Sequence, residues 1–185
     1  MAGLPFQELC EVLGKEPFYV RNLQRQLELP VPKDRAGYSE SHAIFLEKVV
    51  ALRAFHIAPD DIKELLETET KILRMLHVDS LSPSPTWHLE GCSGAEFEEP
   101  AADRLLLTGY RLGFALDAQA IQHTLDFGQH NPELFKGSEM GEDLRQVLRK
   151  YHAAVDRIKG RIVREKPVLE NALEWARRIL RRNER

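Results

Sequence analysis

The chain has 185 residues, of which 43% are apolar and 30% are charged, and its formal net charge is only −3. This length and apolar content allow one well-buried core or two small ones. The small net charge argues against a general polyanion-binding protein, and two cysteines are too few for a disulfide framework or a four-thiolate metal site. No apolar run approaches the ~20 residues that span a bilayer, and the N-terminus does not resemble a signal peptide, so we expect a cytoplasmic protein without a membrane partner.

The charge is distributed unevenly along the chain. Residues 1–76 carry 10 basic and 12 acidic side chains, residues 77–140 carry 3 and 10, and residues 141–185 carry 13 and 7. The three parts therefore have net charges of −2, −7 and +6. Attraction to nucleic acid would have to come from a local basic patch in the first part or from the basic third part.

The first predicted elements are two short helices separated by Gly14. The first is expected over about residues 5–13. Its inward-facing residues are Phe6, Leu9, Cys10 and Leu13. The second helix is expected to begin at Pro17, which suits a first helical turn, and to end before Pro30. A loop then leads to Gly37, which can take the positive φ that a tight turn requires.

Residues 38–66 predict two more helices in a fixed register. Ser39 is a suitable N-cap for the third helix. The apolar residues of that helix recur at helical spacing: Phe45, Leu46, Val49, Leu52 and Phe55. Pro59 suits the first position of the fourth helix, with Asp60 and Asp61 in its positive first turn. The inward-facing residues of the fourth helix are Ile62, Leu65, Leu66, Ile72, Leu73 and Leu76.

These residues resemble the MerR superfamily of winged-helix transcription regulators. In that family Tyr-Ser-Glu opens the third helix, Leu-Arg closes it, and Leu/Pro-Glu/Asp-Glu/Asp-Ile-x-Glu-Leu-Leu forms the fourth. The same elements lie here, without a gap, at residues 38–40, 52–53 and 59–66. The family's recognition helix carries Leu-Arg-x-x-Glu-x-x-Gly-Leu-x-Pro, to which residues 20–21 and 29–30 correspond. The resemblance covers about the first third to two-fifths of the chain and implies a winged helix-turn-helix domain over residues 1–76.

The resemblance implies that the second helix enters the major groove of double-stranded DNA and that the following loop is a wing. The candidate DNA-binding residues are Lys15, Tyr19, Arg21, Asn22, Arg25, Lys33 and Arg35. Arg21 and Arg25 lie on one helix face, and the Asn22 amide suits an adenine edge. Lys33 and Arg35 on the wing would hold phosphates, and Tyr19 would stack on sugar or donate to phosphate.

Departures from the family pattern leave a second hypothesis open. The wing is short, Phe18 lies where a polar or basic residue is common, Asn22 where an aromatic is common, and Leu27 where a glycine is common. The alternative is a protein-interaction adaptor that keeps the scaffold but reads no DNA, so that the charged groups are ordinary solvated side chains. An exposed Phe18 would suit the adaptor, and a buried one would remove an objection to DNA binding. A phage-type accessory factor with the same small fold is a third hypothesis.

Residues 77–138 are expected to be a linker and a small insertion, whose structure the sequence leaves open. Leu105 to Leu107 with Gly109 and Gly113 fits a hairpin, whereas Leu106, Tyr110 and Phe114 fit one face of a helix. We expect the insertion to pack against neighbouring helices. An effector or partner site would lie in this segment.

Residues 139–185 predict an amphipathic, coiled-coil-like helix. Its apolar seam alternates spacings of four and three: Leu144, Leu148, Tyr151, Val155, Ile158 and Ile162. Gly160 should face outward, and Pro167 should bend or break the helix. A second amphipathic stretch follows with Leu169, Leu173, Ala176 and Leu180. We expect the seam to form a homodimer, and a hairpin within one chain is the alternative.

We expect no metal, no cofactor and no catalysis. His42 and His56, fourteen residues apart on the third helix, are too far separated to share a metal. His123 and His130 have Asp126 between them, and the His-x-x-Asp spacing could place two ligands together, but a third ligand is not evident. Cys92 is a single thiol, whereas a sensor of the resembled family would need a pair. The chain has no glycine-rich phosphate loop, Gly-x-Ser-x-Gly elbow or His-Glu-x-x-His. The sequence therefore predicts a mainly α, homodimeric, DNA-binding transcription regulator.

Overall fold

A computed structural model of the chain describes residues 3–32, 37–78, 84–92, 104–112 and 138–183. This part of the chain is mainly helical, as predicted. The five α-helices are α1 (Phe6–Leu13), α2 (Pro17–Gln26), α3 (Glu40–Ala54), α4 (Pro59–Met75) and α5 (Ser138–Asn183). A short 3-10 helix, Trp87–Leu89, lies between α4 and α5. None of the helices in the described ranges has an apolar stretch that could cross a bilayer.

Local sequence sets where the helices begin. The side chain of Ser39 accepts a hydrogen bond from the His42 backbone N–H (3.2 Å), which confirms the predicted N-cap of α3. Pro17 and Pro59 occupy the first turns of α2 and α4, where a missing N–H costs nothing. The predicted starts of these three helices are therefore confirmed.

The helix ends depend on four residues in the left-handed conformation, of which only Gly14 is a glycine. Glu28 follows α2, His56 follows α3 and His77 follows α4, each with φ between 52° and 58°. The prediction that His56 lies on the third helix is wrong. The helix stops at Ala54 because the chain reverses there and buries Ile57 in the core. The Ile57 N–H donates to the Leu52 carbonyl (3.3 Å).

One apolar core runs through the molecule from α1 to α5. Helix α1 packs on α2 and α3, α2 packs on α4, and α4 packs on α5. The fully buried residues of the first four helices include Leu9, Val20, Phe45, Leu46, Leu52, Ile62, Leu65, Ile72 and Leu73. Because the inward positions of these helices follow the predicted periodicity, the sequence anticipated most of this core.

The apolar seam predicted on the last helix packs against α4 of the same chain. Five of its members are buried and the sixth is partly buried: Leu144, Leu148, Tyr151, Val155, Ile158 and Ile162. Arg157 Nη2 contacts Glu64 Oε2 (2.7 Å), while Tyr151 lies near Glu69, so α5 runs antiparallel to α4. The assignment of these six residues to a homodimer interface is therefore corrected, because α4 already covers the seam.

Helix α5 continues beyond the start of α4. It passes through Pro167 to Asn183, so of the predicted bend or break at the proline the break does not occur. Gly160 faces outward with no atom within 4 Å of the position of an added Cβ, as predicted. Beyond Ile162 the described residues include the exposed Val163 and Val168. Among the residues whose burial is described beyond Ile162, these two valines are exposed, unlike the seam residues that α4 covers.

Residues 104–112 form a tight turn. Of the two structures that the sequence left open here, this is the hairpin and not the helix. Arg104 and Arg111 form an antiparallel bridge, and Leu105 N donates to the Tyr110 carbonyl (2.9 Å). Gly109 has φ +73°, and a Cβ there would lie 2.7 Å from the Gly91 carbonyl oxygen. Glycine is therefore required at position 109 by both conformation and space. Gly113 and Phe114 lie outside the described residues.

A buried carboxylate attaches this turn to α4. Glu69 is fully buried, and its Oε1 accepts from Leu107 N (2.8 Å). Its Oε2 accepts from both the N–H and the hydroxyl of Thr108 (2.7 Å each). From α5, the Tyr151 hydroxyl accepts from Leu106 N (3.0 Å). Burial raises the pKa of Glu69, whereas its three donors lower that pKa. The turn thus joins α4 and α5, and no pattern in the sequence indicates this role of Glu69.

Candidate nucleic-acid interface

Helices α1 and α2 follow each other closely, separated by a short turn. The turn begins at Gly14, and the Lys15 N–H donates to the Cys10 carbonyl (3.1 Å) at the end of α1. One face of α2 is buried through Val20, Leu23, Gln24 and Leu27. This buried face contacts α1 and α4, so the opposite face of α2 is presented to solvent.

The exposed face of α2 brings an aromatic residue, an amide and two arginines together. At 100° per residue, Phe18 lies opposite the middle of the buried face, and Arg21, Asn22 and Arg25 lie within about 60° of it. The Phe18 side chain is 82% exposed. Arg21 and Arg25 are also exposed, and Asn22 is half-buried. We call this group, Phe18, Arg21, Asn22 and Arg25, the α2 face.

Contacts within the domain orient the polar side chains of the α2 face. Arg25 Nη2 donates to Asn22 Oδ1 (2.8 Å). The guanidinium of Arg21 lies over the Phe6 ring, 4.9 Å from its centroid. Cation–π contacts of this kind hold a cation in place without using its N–H donors. Both arginines therefore retain donors for phosphate or a base edge.

Lys15 and Tyr19 form a second pair beside the α2 face. Lys15 Nζ lies 5.7 Å from the centroid of the Tyr19 ring. Lys15 is exposed and Tyr19 is half-buried. The structure thus places five of the seven candidate residues at the turn or on α2. The other two, Lys33 and Arg35, lie outside the described residues.

The start of the chain meets the end of the predicted wing. Leu4 and Tyr38 form an antiparallel bridge with two backbone hydrogen bonds of 2.8 Å. Gly37 has φ +68°, and a Cβ there would lie 2.4 Å from backbone atoms of Gly3. No larger residue fits at position 37 without moving this bridge. The bridge therefore fixes where the loop re-enters the domain.

The acidic group nearest the end of α2 is paired. Lys63 Nζ on α4 lies 2.6 Å from Glu28 Oε1, and this hydrogen bond is the main cause of the raised pKa of Lys63. Pairing offsets the Glu28 charge close to Arg25. An exposed pair contributes little to stability, but here it reduces the repulsion that a polyanion would meet.

Cys10, Cys92 and His42 are all buried. Cys92 Sγ donates to the Leu107 carbonyl (3.0 Å), and burial raises the pKa of Cys92 to about 12. Burial also raises the pKa of the Cys10 thiol. His42 is buried beside the Tyr38 ring, and burial lowers its pKa to about 4. Because thiolates are the reactive form, burial makes both thiols less reactive than exposed ones.

Within the described ranges, no group of three or more His, Cys, Asp or Glu side chains could hold a metal ion. His123 and His130 lie outside those ranges.

Sequence reasoning found the polar members of the α2 face but missed two supporting contacts. Phe6 was assigned to the inward face of α1, yet it is half-buried and lies under Arg21. The Glu28–Lys63 pair joins residues 35 positions apart. Periodicity gives the face of a residue on its own helix, whereas these contacts depend on how the helices cross.

No protein-family model, curated protein or solved structure matches this chain.

Proposed function

We propose that the chain is a DNA-binding transcription regulator of the MerR type, with α2 as its recognition helix. The observation that carries the proposal is the α2 face, which lies opposite the core and combines two arginines with an amide. A helix held on α1 and α4 by one face can enter a major groove with the other. The resemblance of residues 1–76 to the MerR family supports the same function.

The side chains of this face suit separate tasks on DNA. Asn22 supplies the acceptor and donor that pair with an adenine edge, and Arg21 and Arg25 supply donors for phosphate or guanine. Lys15 adds a positive charge at the turn before α2, where backbone N–H groups also favour phosphate. Because the first domain is not basic overall, binding rests on this local patch.

We propose a homodimer formed by the C-terminal part of α5. The seam over residues 144–158 is covered by α4, but the helix runs on for another 25 residues, about 37 Å. Val163 and Val168 are 71% and 61% exposed there, and Leu169 is half-buried. A two-fold dimer would place its two α2 helices on half-sites of a palindrome.

The adaptor is the second candidate function, and the exposed Phe18 favours it. Val12 and Val31 are also more than half exposed, on other elements of the same domain. A protein partner could cover such side chains, since aromatic residues often anchor interfaces. The α2 face itself, however, carries two arginines besides this aromatic residue, and a polyanion suits such a face better than an apolar partner surface does.

Selection of a random duplex-DNA pool on the purified chain at near-physiological salt tests the proposal. We expect enrichment of a palindrome. Arg21→Ala should weaken binding to the enriched duplex and, if Arg21 contacts phosphate, reduce the slope of log affinity against log salt by about one. Arg161→Ala, an equal loss of charge on the exposed surface of α5, is the matched control. Absence of enrichment, or equal losses for the two variants, would contradict α2 as the recognition helix.

Sedimentation velocity of the full chain tests the dimer separately. Leu169→Lys should shift a dimer towards monomer while the thermal midpoint of the first domain is kept. A chain that sediments as a monomer before substitution would contradict the proposed dimer but not DNA binding by α2.

A further inference from the structure

Phe18 is the one apolar residue of the α2 face, and its position calls for an explanation. It is the second residue of α2, directly after Pro17, and its side chain is 82% exposed. Recognition helices contact base edges with their N-terminal residues. The only apolar group that a base presents in the major groove is the 5-methyl of thymine.

We propose, on the basis of the proposed function, that Phe18 and Asn22 together read an A·T-containing step. The Phe18 ring contacts the 5-methyl group of a thymine, and the Asn22 amide pairs with an adenine. This assigns a specificity-determining role to Phe18. In the comparison with the resembled family, Phe18 is only a departure from the polar or basic residue that is common at this position.

Spacing along α2 fixes how far apart the two bases lie. Phe18 and Asn22 are four residues apart, which is about 6 Å along the helix axis and about 40° around it. Stacked bases are about 3.4 Å apart. The thymine read by Phe18 is therefore one or two base pairs from the adenine read by Asn22.

Arg25 prepares the Asn22 amide for this contact. Asn22 Oδ1 accepts from Arg25 Nη2 (2.8 Å), which leaves the second lone pair of Oδ1 and both N–H groups of Nδ2 for a base. Pairing with adenine requires one acceptor and one donor from the amide, so the bond to Arg25 need not break. In this role Arg25 is a positioning residue for Asn22, and its remaining donors face phosphate.

The surroundings of Phe18 favour DNA over a protein partner. Protein interfaces bury aromatic anchors within contiguous apolar patches. The neighbours of Phe18 on the α2 face are instead Arg21, Asn22 and Arg25, and the exposed Val12 lies on α1. An aromatic residue that shares its helix face with two arginines and an amide suits a groove edge lined by phosphates.

The experiment uses the duplex enriched from the random pool. Each thymine in turn is replaced by deoxyuridine, which removes only the 5-methyl, and each adenine by 7-deazaadenine, which removes the N7 acceptor. Affinities are measured by fluorescence anisotropy for the unsubstituted chain, Phe18→Ala and Asn22→Ala. Val12→Ala, an exposed apolar residue of α1, is the matched control.

We expect one thymine replacement per half-site to weaken binding by the unsubstituted chain about fourfold, the equivalent of one buried methyl group. Phe18→Ala should bind the original duplex about as weakly as the unsubstituted chain binds the deoxyuridine duplex. Deoxyuridine at that position should not reduce the affinity of Phe18→Ala any further. A 7-deazaadenine one or two base pairs away should weaken binding about tenfold, and this effect should be absent in Asn22→Ala.

The inference is overturned if no deoxyuridine weakens binding, or if Phe18→Ala keeps the sensitivity of the unsubstituted chain. The proposed function would stand in that case, because the enriched duplex would still bind. Phe18→Ala with unchanged affinity would assign the ring to a protein contact and equally overturn the inference. Failure to enrich any duplex would instead contradict the proposed function, and the inference with it.

Discussion

Removal of the Glu69 carboxylate should detach the 104–112 turn from α4. Glu69→Met keeps a side chain of similar length but removes every acceptor, leaving the Leu107 N–H, the Thr108 N–H and the Thr108 hydroxyl buried without partners. Each such donor costs about 1–3 kcal/mol, so three of them would cost about 3–9 kcal/mol. Relief of the carboxylate's own burial offsets part of this. We expect a net loss of about 3 kcal/mol, a large part of a typical unfolding free energy of about 5–15 kcal/mol.

A double-mutant cycle separates the hydrogen bonds from packing. Thr108→Val removes the hydroxyl and should cost about 1 kcal/mol when Glu69 is present. In the Glu69→Met background the same substitution removes an unpaired donor and should cost nothing or be stabilising. Urea unfolding followed by circular dichroism at 222 nm gives all four free energies. Equal effects of Thr108→Val in both backgrounds, or a Glu69→Met loss below about 1 kcal/mol, would refute the role given to Glu69.

Three further predictions concern stability. The pKa of His42 falls from 6.5 to about 4 on folding, so the unfolded chain binds more protons than the folded chain between these pH values. The unfolding free energy should therefore drop by about 3 kcal/mol from pH 7 to pH 4. His42→Leu should remove this part of the pH dependence when urea unfolding is measured at each pH. Val155→Asn should lower the unfolding free energy by about 3 kcal/mol, by the same amount at low and at high protein concentration. A loss that depends on protein concentration would show instead that the seam is a dimer interface. In thermal unfolding, Gly109→Ala should lower stability by clearly more than Gly14→Ala, which should lower it by roughly 1 kcal/mol. Both glycines have positive φ, but of the two only Gly109 lacks space for a Cβ. Equal losses of stability would contradict this reasoning.

Helix starts were predictable because their causes are local. A serine before α3 and prolines at the first turns of α2 and α4 act within a few residues of themselves. Helix ends were harder, since Glu28, His56 and His77 take the left-handed conformation that sequence reasoning reserves for glycine. That conformation costs about 1 kcal/mol for such residues, which the burial of the next apolar residue, such as Ile57 after His56, can offset.

The candidate site was predictable only in part. The α2 face follows from the period of one helix, so Arg21, Asn22 and Arg25 could be grouped from the sequence. The exposure of Phe18 could not, because an aromatic side chain on a short helix can equally be turned into a neighbouring core. The contact of Phe6 with Arg21 likewise depends on the crossing of α1 and α2.

By itself the sequence determined the helical period, the helix starts and an apolar seam on the last helix, because each of these is written in neighbouring residues. Only the tertiary structure decided what covers the seam. A seam buries its side chains equally well against a second copy or against α4, and the sequence pattern is the same in both cases. The intramolecular partner is available because the buried Glu69 holds the 104–112 turn on α4, and Tyr151 joins that turn to α5. The physical reason is that a spacing pattern specifies which face is apolar, whereas the identity of its partner depends on contacts between residues far apart in the chain.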